Sequence, residues 1–290
     1  MNQHPAITIG IPCHCDFDGV YFTVQCLRMF HSEVMPEAEI VVIDNAPASQ
    51  HGALTRELVQ NFVPNGRYIP FTDMLGSAAA KGRVFAEAGG EYVVCLDSHV
   101  FLTPGSLARL LAFYRANPGN NDLLQGPMLG DDLQSVCTHM EPVWRGEMFG
   151  IWATDMSLIA DNDGEAPPEI PMHGLGMFSC RRESWLGFHP GFEGFGGEEG
   201  YLHQKYRNAG RTTRLLPFLK WLLRFPRTHA IQFPCTRYLK IRNYLRGWSE
   251  VGLPIGPLLE HFRPFTPAEE FNAALRDSGV ENLEEHHIST

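Results

Sequence analysis

With 290 residues, 44% of them hydrophobic, the chain is long enough to bury a full core, and a formal net charge of −10 argues against holding a polyanion by bulk charge. No apolar run reaches the roughly 18 residues of a membrane span; the longest candidate, residues 215–225, is broken by Pro217 and Lys220. Residues 1–5 do not read as a secretory leader, and seven scattered cysteines without a Cys-x-x-Cys pair read as reduced thiols, so the expectation is a cytoplasmic protein without membrane contact.

In chain order, residues 6–12 form an apolar strand that Pro12 stops, and residues 19–31 place Val20, Val24 and Leu27 at helical spacing. The unit recurs as a strand over 39–45, with Asp44 at its end, and a helix over 51–62. A short strand at 67–70 precedes an alanine-rich helix over 76–88 that Gly89 and Gly90 close. Residues 91–99 then run through Tyr92, Val93, Val94, Cys95 and Leu96 without alternation into Asp97 and His99, the pattern of a parallel strand buried on both faces. In extended chain Asp97 and His99 point to one side, at the strand end where open α/β sheets bind ligands, so one divalent cation could touch both. Strands and helices alternating at this spacing predict an α/β fold, a Rossmann-like, mostly parallel sheet flanked by helices.

Past a helix over 104–116 the pattern degrades. Residues 130–171, rich in Asp, Gly and Pro, read as long irregular excursions, and 172–180 as a returning strand. Glycines at 191, 194, 196 and 197 mark a loop whose backbone makes unusual turns or lies close to a ligand. Glu198 and Glu199 then open a helix, either as complements to its positive end or as carboxylates that hold or activate a substrate. Residues 201–249 contain no Asp or Glu and eleven of the 23 Lys and Arg residues. Within them Arg237, Lys240, Arg242 and Arg246 interleave with Tyr238, Tyr244 and Trp248. That composition suits phosphate contact and base stacking, or equally a helix lying on the acidic body.

Leu96-Asp97-Ser98-His99 and the stretch from Pro190 through Phe195-Gly196-Gly197-Glu198 together resemble the GT-A-fold, family-2-like glycosyltransferases, and most closely the polypeptide N-acetylgalactosaminyltransferases. The first matches their Asp-x-His metal motif and the second their aromatic-Gly-Gly-Glu loop. The resemblance spans roughly residues 6–231. It implies a GT-A catalytic domain over 1–235, its nucleotide-sugar half about 1–100 and its acceptor half about 101–235, followed by a helical C-terminal extension over 236–290. It further implies a UDP-sugar donor and a Mn2+ (or Mg2+) ion on Asp97, His99 and His229. Pro12, Asp44, Lys81, Arg83 and Trp144 would line the nucleotide and sugar, and Glu198 and Glu199 would be the catalytic carboxylates. Neither the membrane anchor nor the lectin module of the animal enzymes is expected here. A compact chain with a cationic face of this kind is similar to viral, bacteriophage-type or bacterial enzymes that modify hydroxymethylated pyrimidines. The expected acceptor is therefore 5-hydroxymethylcytosine in DNA, held by residues 201–249, with no obligate protein partner. Transfer to protein Ser or Thr or to a glycan, hydrolysis of the sugar nucleotide, and a non-catalytic nucleotide-sugar- or DNA-binding protein stand as alternatives.

Overall fold

A computed structural model describes residues 4–160, 166–223 and 234–280. Three β/α units open the chain: β1 (Ile7–Cys13), α1 (Phe17–Phe30), β2 (Ala38–Asp44), α2 (Gln50–Phe62), β3 (Gly66–Pro70) and α3 (Ser77–Glu87), leading into β4 (Tyr92–Leu96). Then follow β5 (Val100–Leu102), α4 (Ser106–Ala116), β6 (Leu123–Gln125), β7 (Met128–Leu129), β8 (Val136–Cys137), β9 (His139–Arg145), β10 (Met148–Ala153), β11 (Met177–Arg181), α5 (Glu198–Asn208), β12 (Thr213–Leu215) and β13 (Trp221–Leu223). Helices α6 (Arg237–Val251), α7 (Ile255–Phe262) and α8 (Ala268–Ser278) complete the described chain.

The main sheet has the order β12-β6-β11-β4-β1-β2-β3, with β1 to β4 parallel and β11 antiparallel to both β4 and β6. The chain moves outward from β1 to β3 and then returns to the other side of β1 as β4. The strand order thus reverses between β1 and β4, where open α/β sheets place their ligands. Successive residues of the central strands feed two cores: Ile7, Ile9, Val42 and Val94 pack under α1, α2 and α4, whereas Val41, Ile43, Val93 and Cys95 pack under α3 and α5. Burial on both faces is why these strands read as unbroken apolar runs.

Three sequence expectations need correction. β1 continues one residue past Pro12 to Cys13; its ladder to β4 ends at Gly10, so the missing Pro12 N–H costs no bond on that side. Residues 130–171 are not wholly irregular: β9 and β10 form an antiparallel hairpin turning at Gly146, whose φ is +55°. The returning strand is shorter than 172–180, β11 beginning only at Met177. The C-terminal helices build a third core around Ile241, Tyr244, Trp248, Leu258 and Phe262, against which Trp144 and Phe149 of the hairpin pack.

Helix α3 crosses β1 at Gly10, where a Cβ would stand 2.0 Å from Val84 Cγ1. Gly10→Ala is therefore expected to cost about 1–3 kcal/mol by overpacking. The check is a lower urea midpoint with an unchanged slope; an unaltered midpoint would show that α3 can move away.

Candidate active site

The turn after β4 is held from below by α1. Thr23 donates its hydroxyl to the carbonyls of Ser98 and Val100 at 2.9 and 3.1 Å, and Ser98 donates to Asp16 Oδ2 at 2.6 Å. Asp16 also caps α1 by accepting from Gly19 N–H, and it lies 4.0 Å from His99 Nδ1. Asp16 and Thr23 therefore fix the Asp-Ser-His turn, although nothing in their own sequence neighbourhood pointed to it; the contacts span 75 to 82 residues.

Lys81, rising from α3, meets Asp97 Oδ1 at 3.0 Å with its side chain only 4% exposed. Burial opposes the ammonium charge, but Asp97, Cys95 and Glu198 outweigh that cost and hold the Lys81 pKa above its ordinary value. On its other side Asp97 faces Gly176, where a Cβ would stand 3.6 Å from Oδ2 and 3.1 Å from the Trp221 ring. The contact with Trp221, tighter than the ordinary one to Asp97, is what favours glycine there. A carboxylate whose Oδ2 Lys81 does not take and an imidazole two residues on are donor chemistry that manganese or magnesium accepts, so by residue type Asp97 and His99 fit such an ion. His229, the third expected ligand, lies outside the described residues. Among the described residues no three His, Cys, Asp or Glu side chains converge as a metal cluster.

Glu198 and Glu199 form the first turn of α5, entered through Gly197 at φ +97°. Glu198 is 2% exposed, and the Oε2 atoms of both acids are buried without a hydrogen-bond partner. Burial first, and then the adjacent Glu199 charge, push Glu198 up to about 8, while Lys81 pulls the other way. Burial likewise raises Glu199. The helix is anchored by His203, whose Nδ1–H donates to the Glu199 carbonyl at 2.6 Å and whose Nε2 accepts from the His173 N–H at 3.1 Å. Burial lowers His203 to about 4, keeping the ring neutral and this tautomer fixed. His203 was missed as a site residue, although its place four residues after Glu199 on one helix was a signal.

The remaining expected residues separate. Pro12 is buried at the carboxyl end of β1, beside Ile43 of β2. Asp44 is 1% exposed with both oxygens engaged, Oδ1 by Ala46 N–H at 2.8 Å and Oδ2 by the Tyr68 hydroxyl at 2.7 Å, so it shapes the end of β2. Arg83 leans away from Lys81 to pair with Glu87 at 2.6 Å. Trp144 packs in the third core, stacked 4.4 Å from His261, and does not join the Asp97 cluster. The cationic segment is largely spent inside the fold. Arg237 and Lys240 each bond Glu147 at 2.8 Å, Arg242 pairs with Glu193, and Arg246 donates to the carbonyls of Gly191, Asp277 and Ser278. Lys205 meets Glu250 at 2.8 Å and Arg214 meets Asp122 at 2.6 Å. Of the two arrangements that composition allowed, α6 lies on the acidic body.

Comparison with known proteins places the fold. Residues 8–132 match the sequence profile of Glycosyl transferase family 2, the segment that runs from β1 past the Asp-Ser-His turn. Over 99% of this chain the fold superposes on the crystal structure of GalNAc-T7 with UDP, GalNAc and Mn2+, at TM-score 0.66 and 16% identity. This chain covers 56% of that one, so it spans little more than half its length. Staphylococcal TarS (S. aureus, residues 1–349, with UDP-GlcNAc) gives 0.60 and 16% over 94% of this chain and 80% of its own. The mannosyltransferase PcManGT from Pyrobaculum calidifontis, with GDP-Man and Mn2+, gives 0.56 and 13% over 96% and 70%. No curated protein sequence matches the chain. The profile match and the superpositions together show a GT-A fold. No helix among the described residues is long and apolar enough to cross a membrane.

Because folded Glu198 binds its proton more tightly than the ordinary value of 4.5, its contribution to stability is full below that pH and is lost as pH rises toward about 8. Glu198→Gln removes this loss. In metal-free protein the urea midpoint of the variant should fall less than that of wild type between about pH 5 and pH 8. Parallel curves would refute the buried, protonated carboxyl.

Proposed function

We propose that the chain is a metal-dependent glycosyltransferase that moves a sugar from a nucleoside-diphosphate sugar, UDP-linked, to a hydroxyl acceptor. The observation that carries this reading is the convergence of Asp97, Lys81, Glu198 and Glu199 at the carboxyl end of β4, within the fold of nucleotide-sugar transferases. Asp97, His99 and His229 would hold the divalent ion, whose chemistry is to neutralise the diphosphate as it leaves. Lys81, its side chain almost wholly buried, holds the Asp97 carboxylate in place for that ion through the 3.0 Å contact.

A carboxyl that keeps its proton near neutral pH is a weak general base and a good hydrogen-bond donor. We therefore assign Glu198 to hold a hydroxyl of the sugar or acceptor through the oxygen left without a partner in the fold. Glu199 shares the same field of Lys81, so ionising one glutamate makes ionising the other harder. The hydroxymethylated-DNA acceptor rested on the cationic segment. With Arg237, Lys240, Arg242 and Arg246 bonded internally, these α6 cations give DNA no advantage over another hydroxyl compound; Arg224 and Arg227 of the same segment lie outside the described residues.

The test is UDP release with Mn2+ from a panel of UDP-sugars, offered hydroxymethylcytosine DNA, unmodified DNA, a Ser/Thr-rich peptide or an oligosaccharide. Release is expected with at least one hydroxyl acceptor and no special stimulation by DNA; release confined to hydroxymethylated DNA would reinstate that acceptor. Asp97→Asn should lower Mn2+-supported release by at least about 100-fold, the scale of losing a preorganised electrostatic group, while the fold persists. An active variant would remove the metal assignment.

A further inference from the structure

The four glycines at 191, 194, 196 and 197 have a structural cause that the sequence did not disclose. Each lies against α6 or the segment leading into it. A Cβ on Gly194 would stand 2.5 Å from the Pro234 carbonyl oxygen, on Gly196 2.9 Å from Lys240 Cγ, and on Gly197 3.1 Å from Asn243 Cβ. Gly194, Gly196 and Gly197 also take φ values of +68°, +109° and +97°, which side-chain-bearing residues rarely adopt. The loop is shaped to receive α6.

Asn243 is the residue that reads this shape. It is 1% exposed, its Oδ1 accepts from Glu193 N–H at 3.2 Å, and its Nδ2 donates to the carbonyls of Glu193 and Gly196 at 2.8 and 3.0 Å. One amide thus closes both ends of the turn that delivers Glu198. Arg246 adds a bond to the Gly191 carbonyl at 2.6 Å. On the opposite side the loop is fixed to the start of α3, with Ser77 N–H donating to the Gly194 carbonyl at 2.9 Å and Gly194 N–H to the Leu75 carbonyl at 2.8 Å. The loop is therefore clamped between the helix that carries Lys81 and the helix that carries Asn243.

We propose that Asn243 is a positioning residue for the transfer reaction: through Glu193 and Gly196 it sets the place of Glu198, making α6 a working part of the active site. This rests on the transferase reading for its kinetic consequence and on geometry alone for the clamp. The side-chain amide is suited to the task because it offers one acceptor and two donors to one N–H and two carbonyls. Asn243→Asp keeps the size, loses both donors and faces two carbonyl oxygens with an acceptor.

The test combines hydrogen–deuterium exchange of the full chain with kinetics on Asn243→Asp and Asn243→Ala. The expected result is faster exchange confined to peptides spanning 191–199, with α8 still protected. Kd for UDP with Mn2+ should stay within about twofold, while kcat falls by about 10- to 100-fold, the scale of a misplaced reacting group. Exchange at 191–199 that matches wild type, or a changed KM with kcat intact, would overturn the proposal. Should either variant lose protection throughout, Arg246→Gln decides: it removes the Gly191 bond together with those to Asp277 and Ser278, so faster exchange at 191–199 upholds the clamp whether or not the end of α8 also loosens, and an unchanged loop overturns it. Wild-type protein that neither binds nor turns over UDP-sugars would sink the transferase reading alone, because the exchange measurement needs no activity.

Discussion

The ammonium of Lys81 is the charge on which this site depends. Three acids reach the carboxyl-terminal edge of the sheet, Asp97 from β4 and Glu198 and Glu199 from α5, and all three interact with it. Removing ions from water costs several kcal/mol each unless they are paired, and one ammonium cannot neutralise three carboxylates. The charges divide accordingly: Asp97 takes the direct contact, and the two glutamates bind protons more tightly than in water. A divalent cation at Asp97 would add positive charge at the same point and reverse that local balance, coupling the glutamates to occupancy of the metal position. Lys81 itself is held by packing, because α3 lies so close on β1 that only glycine fits at position 10.

The legible part of this chain is what local patterning can encode. Nearly continuous apolar runs gave β1, β2 and β4, because both faces of a central parallel strand are buried; the polar exceptions inside them, Thr8 and Glu39, bond each other at 2.7 Å. Asp97, His99, Glu198 and Glu199 stood out as candidates because each stands at the end of such a pattern, beside the glycines or the strand that places it. The β9–β10 hairpin was not legible: Pro142 and Glu141 interrupt β9, and much of the hairpin stays partly exposed, so neither alternation nor an apolar run marks it. Asp16, Thr23 and Asn243 were not legible because their work is done on partners far along the chain, much of it on backbone atoms. Asn243 acts on residues 47 to 50 positions away.

The cationic segment shows why a charge count misleads. Eleven basic residues without an acid in 49 positions suggest an exposed positive face, yet a field outside the protein depends on charges left uncompensated. Glu147 comes from the turn between β9 and β10, and Glu193 from the glycine loop; both meet α6 from sequence that the composition of 201–249 cannot reveal. Arg237 and Lys240 hold Glu147 below the ordinary carboxylate range, first through the Lys240 hydrogen bond. The same four cations that looked like a nucleic-acid contact are the bonds that attach α6 to the hairpin, the glycine loop and α8.

This attachment changes what the C-terminal helices are. A helix joined to the body by surface charges alone would be loosely held, since exposed pairs contribute little. α6 instead buries Ile241, Tyr244 and Trp248 against the aromatic face of the hairpin, and Tyr244 accepts the Phe149 N–H at 2.8 Å. Phe149 in turn touches the start of α5, where a Cβ on Gly200 would stand 2.9 Å from its ring. The hairpin, α5 and α6 thus close around Glu198 and Glu199 from three directions, while the sheet edge and α3 hold Asp97 and Lys81 from the fourth. The carboxyl pair is buried because of this closure, and burial is the largest cause of its raised proton affinity. The protonation state of the site is therefore a consequence of how the last described helices pack, and the residues that carry chemistry cannot be separated from those that only surround them.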